Sequence, residues 1–250
     1  MLLLLSLGCW LWAGAAQAQP SITVQPATAD WTGYYTVARG KALGGLQPVS
    51  MDLNQVVTAH LQPWARLKME ATDGVADDTG QVCQLIGIFR YAIINAEFLW
   101  LPGPDHITMA FWEINTVGAR RIYMNRSHPK NIVPTWNGDS VGHWEGDTLV
   151  VDTIGFNDKS WLHTGMQPHS EETHLIERIR HITTPAGAFL EIRGKVEDRQ
   201  ALTSAFEYSR YYKQKSEEMI PNVCSEDIQT WTDIRNRHLR PLLERAKEVR

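Results

Sequence analysis

The sequence predicts a β-rich fold, either an antiparallel barrel or a strongly curved, lipocalin-like sheet, with helices near the two chain ends. Short apolar segments of alternating polarity recur through the middle of the chain, and Gly, Pro, Asn and Asp turns separate them. The strand, helix, strand rhythm of a parallel α/β fold is missing from this region. We therefore expect residues 19–250 to form a single β-rich domain.

The predicted helices lie on either side of the strand-rich region. Residues 50–74 offer caps at Ser50 and Asp52, apolar residues at helical spacing and a break at Pro63. This pattern predicts two short helices. Residues 225–250 are amphipathic and end in alternating charge, which predicts a helix docked on the outside of the domain.

Two hairpins are predicted between these helices. In "GHWEGDTLVVDTIGF", Gly146 and Asp147 occupy the turn. The following run alternates between two faces, with Asp152 on one of them and three residues on the other: Leu149, Val151 and Thr153. "THLIERIRHI" fits a strand or a helix, and the turn "TTPAG" before the half-buried strand "AFLEIRGKVED" favours a strand. Further strands are predicted at "WTGYYTVA", "EFLWLPG", "HITMAFWEI", "RRIYMN" and "AFEYSRYYK".

The first residues predict export. "MLLLLSLGCWLWAGAAQAQP" is an apolar run that ends in a small-x-small site, so residues 1–18 read as a signal peptide cleaved after Ala18. We expect a periplasmic or secreted protein. In that oxidising compartment Cys83 and Cys224 are expected to form a disulfide, which would stabilise the fold by roughly 4–5 kcal/mol on the chain-entropy model.

Composition limits the classes of partner that the protein is expected to bind. The net charge is −4 and no basic stripe is present, which argues against a nucleic-acid partner. After the signal, no segment reaches the roughly 20 apolar residues of a membrane span. The ten tryptophans are typical of a β-rich core or of an aromatic pocket for a small molecule. The sequence does not indicate an oligomeric state.

The central motifs are similar to those of a known family. "WNGDSVGHWEGDTLVVDT", "GFNDKSWL" and "HSEETHLIER" resemble the W-x-G-x-S-x-G-x-W-E-G-D-T-L-V-V-[DE]-T, G-F-N-D-x-[ST]-W-L and H-S-[ED]-x-x-H-x-x-E-R signature of a large, mostly uncharacterised family of exported bacterial proteins. The resemblance extends over most of the mature chain and implies export rather than a particular reaction. One departure follows Cys83, where "CQLIGIFR" replaces the family pattern C-x-P-x-G-x-P-R.

The heptapeptide "PHSEETH" suggests acid–base chemistry. An imidazole that titrates near neutral pH, a carboxylate to orient it and an apolar wall are sufficient for such chemistry. We take His169 and His174 as candidate bases or acids, with Asp158 or Asp152 as the orienting carboxylate. The candidate donors to a developing oxyanion are Ser140 and Tyr123. The candidate substrate-binding residues also include Trp136, Trp144, Trp161 and His143.

A metal site is the competing interpretation of the same heptapeptide. If a metal ion is bound, the expected ligands are His169, His174, Glu171 and Asp158. His169 with Glu171 and Glu172 with His174 each have i, i+2 spacing. Distant donors would complete either pair, and they include Asp158, His163, His143 or His128. No short metal-binding motif such as H-E-x-x-H is present.

Other motif residues have structural interpretations. Ser140 in "GDSVG" lacks the spacing of a nucleophile elbow, so a serine hydrolase is a weak alternative. We expect Glu177 and Arg178 to form a surface or cross-strand ion-pair set. Arg120 and Arg121 could bind a substrate carboxylate, although such a pair more often lies at an exposed strand end.

These observations lead to three functional hypotheses. The first is an exported enzyme that needs no cofactor and uses His/Asp acid–base chemistry on a small cyclic or aromatic molecule, as a catabolic lyase, hydratase or isomerase. The second is a lipocalin-like carrier of a small apolar ligand. The third is a mononuclear metal-dependent hydrolase or lyase.

Overall fold

The computed structural model of the protein describes residues 20–27, 30–49, 52–74, 77–82, 84–93, 96–113 and 116–216. Four predictions fall outside these residues: the signal peptide, the cap at Ser50, the helix at 225–250 and the Cys83–Cys224 disulfide.

Within the described ranges the chain is built mainly of strands. The strands are β1 Thr23–Val24, β2 Gly33–Val37, β3 Glu97–Pro102, β4 His106–Glu113, β5 Thr116–Met124, β6 Asp139–Glu145, β7 Thr148–Ile154, β8 His174–Thr184, β9 Gly187–Glu197 and β10 Phe206–Lys215. The helices are α1 Leu53–Ala59, α2 Pro63–Ala71 and α3 Gly87–Ile93, with 3₁₀ turns at Gly40–Leu43 and Thr79–Val82. None of the described helices has the length and apolar character needed to cross a membrane.

Nine of the strands close into a barrel, which confirms the predicted fold class. The sheet runs in the order β8-β7-β6-β5-β4-β3-β2-β10-β9, and pairing of β8 with β9 closes it, while β1 adds to the far end of β8. Every pair is antiparallel except β5 with β6, which run parallel. Residues 125–138 therefore cross over between those two strands, and this crossover shapes the outer face beside them.

The predicted hairpins and the two helices of residues 50–74 form as expected. Gly146 has a φ of 60° at the β6–β7 turn, a conformation that favours glycine. Asp52 caps α1 by accepting a hydrogen bond from the Gln55 amide, and Pro63 begins α2. Helix α3 was not predicted from the sequence.

The barrel interior follows the period-two alternation of the strands. Leu149, Val151 and Thr153 share one face, as predicted, and the structure shows that this face is inward and fully buried. Inward-facing residues of β3, β4 and β9 complete the same core, together with buried residues of α1 and α3.

A polar network crosses this apolar interior. Arg120 of β5 contacts Glu177 of β8 at 2.6 Å, and both side chains are almost completely buried. The same guanidinium donates to Ser140 Oγ at 2.9 Å and to Thr153 Oγ1 at 2.7 Å. Each of the four adjacent strands β5 to β8 thus contributes one inward polar side chain. Because these four side chains are buried, they fill the barrel interior next to β5, β6, β7 and β8.

Gly194 makes room for a further member of the network. It pairs with Glu177 across β8 and β9 and with Tyr208 across β9 and β10. A Cβ at this position would overlap the Tyr208 ring, so glycine lets that ring cross toward β8. The Tyr208 hydroxyl then donates to Glu177 Oε1 at 3.4 Å. Burial, followed by the charge of Glu177, raises the pKa of Tyr208 well above its ordinary value.

These contacts correct three predictions. Both Glu177 and Arg178 form ion pairs with other strands, but Glu177 does not lie on the surface, because its position in β8 turns it into the barrel toward Arg120. Arg178 beside it is exposed and pairs with Glu145. Arg120 is buried rather than at an exposed strand end. The strand containing Glu191 is also more than half buried, since Glu191 on its outer face is covered and paired with two arginines.

We expect Glu177→Leu to lower the free energy of unfolding by about 3–5 kcal/mol, because it leaves the Arg120 charge buried without its partner. Urea denaturation followed by circular dichroism measures this. The matched control is Lys195→Gln, which breaks an exposed ion pair with Glu197. It should lower the free energy of unfolding by less than about 1 kcal/mol. Equal losses in both variants would contradict a structural role for the buried pair.

Candidate functional site

The structure distributes the predicted site residues over separate places instead of one pocket. Ser140 lies inside the barrel, within the Arg120 network. The residues on or beside the outer face are Tyr123, Trp136, His143, Asp152 and His174. The residues in the segment 156–173 are Asp158, Trp161, His169 and Glu171. Trp144 lines a pocket at one end of the barrel.

An alternating row of carboxylates and imidazoles crosses the outer face of β6, β7 and β8. His128 Nδ1 lies 2.7 Å from Asp139 Oδ1, and His128 Nε2 lies 3.5 Å from Asp152 Oδ1. The same Asp152 oxygen is 2.8 Å from His174 Nε2. We call Asp139, His128, Asp152 and His174 the outer relay. Of the predicted catalytic residues, the structure brings Asp152 and His174 together.

Strand register places the members of the relay. Asp152 pairs with Ile176 across β7 and β8, so His174 lies two residues away on the same outer face. His128 comes from the crossover before β6 and reaches over that strand to Asp152. The two ends of the relay differ in environment, because His174 is 32% exposed whereas the side chain of Asp139 is only 17% exposed.

The geometry of His128 suits proton transfer. Its two ring nitrogens face different carboxylates, Asp139 at Nδ1 and Asp152 at Nε2. An imidazole can take up a proton at one nitrogen and release another from the opposite nitrogen. Nδ1 is hydrogen-bonded to Asp139, whereas Nε2 is buried and forms no hydrogen bond with a described residue, so onward transfer to Asp152 requires the 3.5 Å gap between Nε2 and Asp152 to close.

A cleft of about 480 Å³ borders the inner end of this row. Its lining includes Arg121, Tyr123, Trp136 and Asp139. Arg126 contacts Asp139 Oδ2 at 2.5 Å and lies over the Tyr123 ring, 4.0 Å from its centre. This cation–π contact ties the carboxylate to the aromatic wall. The cleft thus combines an aromatic surface, the exposed side chain of Arg121, and Asp139, the first carboxylate of the relay.

His143 lies on the same face of β6 but does not join the outer relay. It is 61% exposed and its Nε2 is 3.3 Å from Glu145 Oε1. Arg178 holds the other oxygen of that carboxylate at 2.9 Å. These residues form an exposed charged group beside the β6–β7 turn.

His169, the other candidate base, is a buried structural residue. Its Nδ1 lies 3.1 Å from the carbonyl oxygen of Ser170, which can only accept, so Nδ1 carries the proton. Nε2 therefore accepts the hydroxyl proton of Ser160 at 2.8 Å. Phe89 and Phe156 pack against the ring edge-on. Burial lowers the pKa of His169 and keeps the imidazole neutral.

Asp198 organises the turn that contains His169. Its carboxylate accepts from the backbone amide and hydroxyl of Ser170, from the Thr173 hydroxyl and from the Ala201 amide, at 2.6–2.8 Å. Burial opposes the charge of Asp198, but these donors outweigh it and hold the pKa below its ordinary value. "PHSEETH" is therefore a folded polar turn whose final histidine alone reaches the outer relay.

The predicted metal ligands are not brought together. Asp158 and Glu171 are exposed, while His169 is buried and bonded to Ser160. In the part of the chain that the structure describes, no group of three or more His, Cys, Asp or Glu side chains is arranged to hold a metal ion.

Aromatic residues surround a smaller pocket at the end of the barrel near the β6–β7 turn. It has a volume of about 360 Å³, and its walls include Trp31, Trp100 and Trp144. The Trp31 ring lies 6.0 Å from Trp100 and 5.2 Å from Trp144, measured between ring centres. His181 stacks on Trp31 at 5.6 Å. This end of the barrel can receive a small apolar molecule.

Sequence reasoning missed Asp139, Arg126 and the position of His128. Asp139 precedes Ser140 in the strand, so their opposite faces were predictable from alternation. The parallel pairing of β5 and β6 was not predictable, and it is this pairing that places the crossover with His128 against β7. No signal in the sequence indicated it.

Comparison with known proteins adds no relative: no protein-family model and no curated protein matches the chain. The family resemblance of the central motifs therefore stays a prediction.

We expect His169→Gln to flatten the pH dependence of stability between about pH 7 and pH 5. Burial depresses the pKa of His169 in the folded protein. As the pH falls through about 6.5, the His169 imidazole is therefore protonated in the unfolded chain before it is protonated in the folded one, and the free energy of unfolding decreases below that pH. The glutamine carbonyl can still accept the Ser160 proton. Urea titrations at several pH values measure the slope, and parallel curves for both proteins would contradict the assignment.

Proposed function

We propose that the protein is an exported enzyme that moves protons on a small cyclic or aromatic molecule, as a lyase, hydratase or isomerase. The observation that carries the proposal is the outer relay, which links the wall of an aromatic cleft to solvent through alternating carboxylates and imidazoles. Export, predicted from residues 1–18, would place this activity in the periplasm or outside the cell.

The cleft supplies the groups that such a reaction needs. A cyclic substrate would lie against Tyr123 and Trp136, with a carbonyl oxygen directed at Arg121 or the Tyr123 hydroxyl. Positive charge and a hydroxyl donor stabilise the negative charge that develops on that oxygen when a neighbouring carbon loses a proton. Asp139 is the carboxylate on the same wall that can accept the proton.

The remaining members of the relay return the base to its resting state. Transfer along the row uses the His128 tautomer whose proton is on Nε2: Asp139 passes the substrate proton to Nδ1, and Nε2 releases its own proton toward Asp152, whose carboxylate reaches solvent beside His174. Return of the proton to a second carbon gives isomerisation, and its transfer to a hydroxyl group that leaves the neighbouring carbon as water gives dehydration. Neither outcome requires a cofactor.

The test is deuterium exchange next to the carbonyl of cyclohexanone and 2-cyclohexenone, followed by proton NMR in heavy water. We expect the wild-type protein to accelerate exchange and Asp139→Asn to reduce the rate by about 10²-fold, the usual contribution of a general base. His174→Asn should lose less, and added imidazole buffer should restore its rate, because His174 acts at the solvent end. The control is His60→Gln, since the His60 imidazole bonds the Val56 carbonyl of its own helix and lies outside the outer relay.

Three results would overturn this proposal: no exchange above buffer for either ketone, equal rates in wild type and Asp139→Asn, or an equal loss in His60→Gln. Circular dichroism of each variant confirms that a lost rate does not reflect lost folding.

A carrier of small apolar molecules is a second candidate function, and the tryptophan-lined pocket at the barrel end favours it. Binding of the fluorophore N-phenyl-1-naphthylamine tests it. We expect Trp144→Ala, which removes an exposed wall of the pocket, to weaken binding about tenfold. Trp64→Ala is the matched control, because Trp64 is similarly exposed but lies on α2. The same affinity in wild type and Trp144→Ala would exclude this pocket as the carrier site.

A further inference from the structure

A second large cleft opens where strand β2 ends, away from the outer relay. Its volume is about 550 Å³. The residues that line it include the charged or titratable side chains Arg39, Asp52, His163 and Arg210 and the apolar side chains Val37, Leu43, Pro48 and Leu53. The lining thus combines a mainly cationic part with an apolar part, and neither part belongs to the site proposed above.

Arg210 carries the central charge of this cleft. It lies on β10 just beyond the last pair of β10 with β2, which joins Tyr212 to Val37. Its guanidinium donates to the Ser209 carbonyl at 2.8 Å, and no carboxylate among the described residues forms an ion pair with it. Burial, with the charge of Arg39 acting in the same direction, lowers the pKa of Arg210. Pairing with an anion stabilises a guanidinium in this position.

The other charges around the cleft do not supply that anion. Asp52 is committed to capping α1 through the Gln55 amide. Arg90, which also acts on His163, is neutralised by Asp78 at 2.5 and 3.1 Å. The pKa of His163 is lowered by burial first and then by the positive charge of Arg210; Asp52 opposes this shift and Arg90 adds to it.

The apolar part of the cleft restricts which anion fits. Val37 and Pro48 are only partly buried and offer the aliphatic surface of this lining, while Leu43 and Leu53 of the same lining are already buried. An inorganic ion would leave this surface wet, whereas an organic anion covers it and gains the hydrophobic contribution. The planar fork of one arginine matches the two oxygens of one carboxylate.

We propose that this cleft binds a small monocarboxylate with an apolar body, whose carboxylate pairs with Arg210. The hydrocarbon part lies on Val37 and Pro48, and the carboxylate lies between Arg210 and His163. Since the cleft shares no residue with the outer relay, the site is a binding site separate from the proposed chemistry.

Isothermal titration of the mature protein with cyclohexanecarboxylate tests the proposal, with cyclohexylmethanol as the neutral isostere and inorganic phosphate as the anion without an apolar body. We expect saturable binding of the carboxylate only, weakened by added salt. Arg210→Met keeps the side-chain stem but removes the charge, and it should weaken binding at least about tenfold. Arg178→Gln is the matched control, because that arginine is exposed and already paired with Glu145.

His163 supplies a second readout that does not depend on the variant folding. A carboxylate bound beside it raises the pKa of His163 relative to the free protein, by adding a negative charge near an imidazole that burial and Arg210 keep neutral. Carbon-13 NMR of the imidazole measures this in wild-type protein. Each of three results overturns the proposal: no carboxylate binding up to about 10 mM, unchanged affinity in folded Arg210→Met, or equal binding of the neutral isostere.

Discussion

The ion pair between Arg120 and Glu177 inside the barrel is the constraint on which the rest of the structure depends. A buried charge without its partner is far less favourable than a paired one, so strands β5 to β8 must keep the register that brings both groups together. A shift of one residue in β8 would turn Glu177 outward and His174 inward, because strand side chains alternate. The arrangement of the outer face, including Asp152 with His174, is thus tied to the pairing in the interior.

The same residue types serve opposite purposes in two neighbouring regions. His169 and Asp198 are buried and each of their polar atoms is directed at a nearby donor or acceptor, so they hold a turn in place. His128 and His174 lie at the surface between carboxylates that also reach water or a cleft. Solvent access, not residue identity, separates structural histidines from those that can exchange protons, since burial favours the neutral imidazole.

Much of the fold could be predicted because its information is local. The β6–β7 turn, the shared face of Leu149, Val151 and Thr153, and the capped helix after Asp52 all follow from neighbouring residues. The candidate site was predicted less well. Asp152 and His174 were chosen and do meet, but Asp139 and Arg126 were missed and His169 was assigned to chemistry although it is buried. Their roles depend on contacts between residues that are distant in the chain.

The sequence by itself determined the fold class, the position of most strands along the chain and which residues share a face, because alternation and turn chemistry act over a few residues. Only the tertiary structure decided which face was buried at Glu177, that β5 and β6 run parallel, and that His128 lies between two aspartates. These are matters of strand pairing and closure. Strand pairing and barrel closure depend on burying apolar surface and pairing buried charges from the whole chain at once, and no local pattern encodes that.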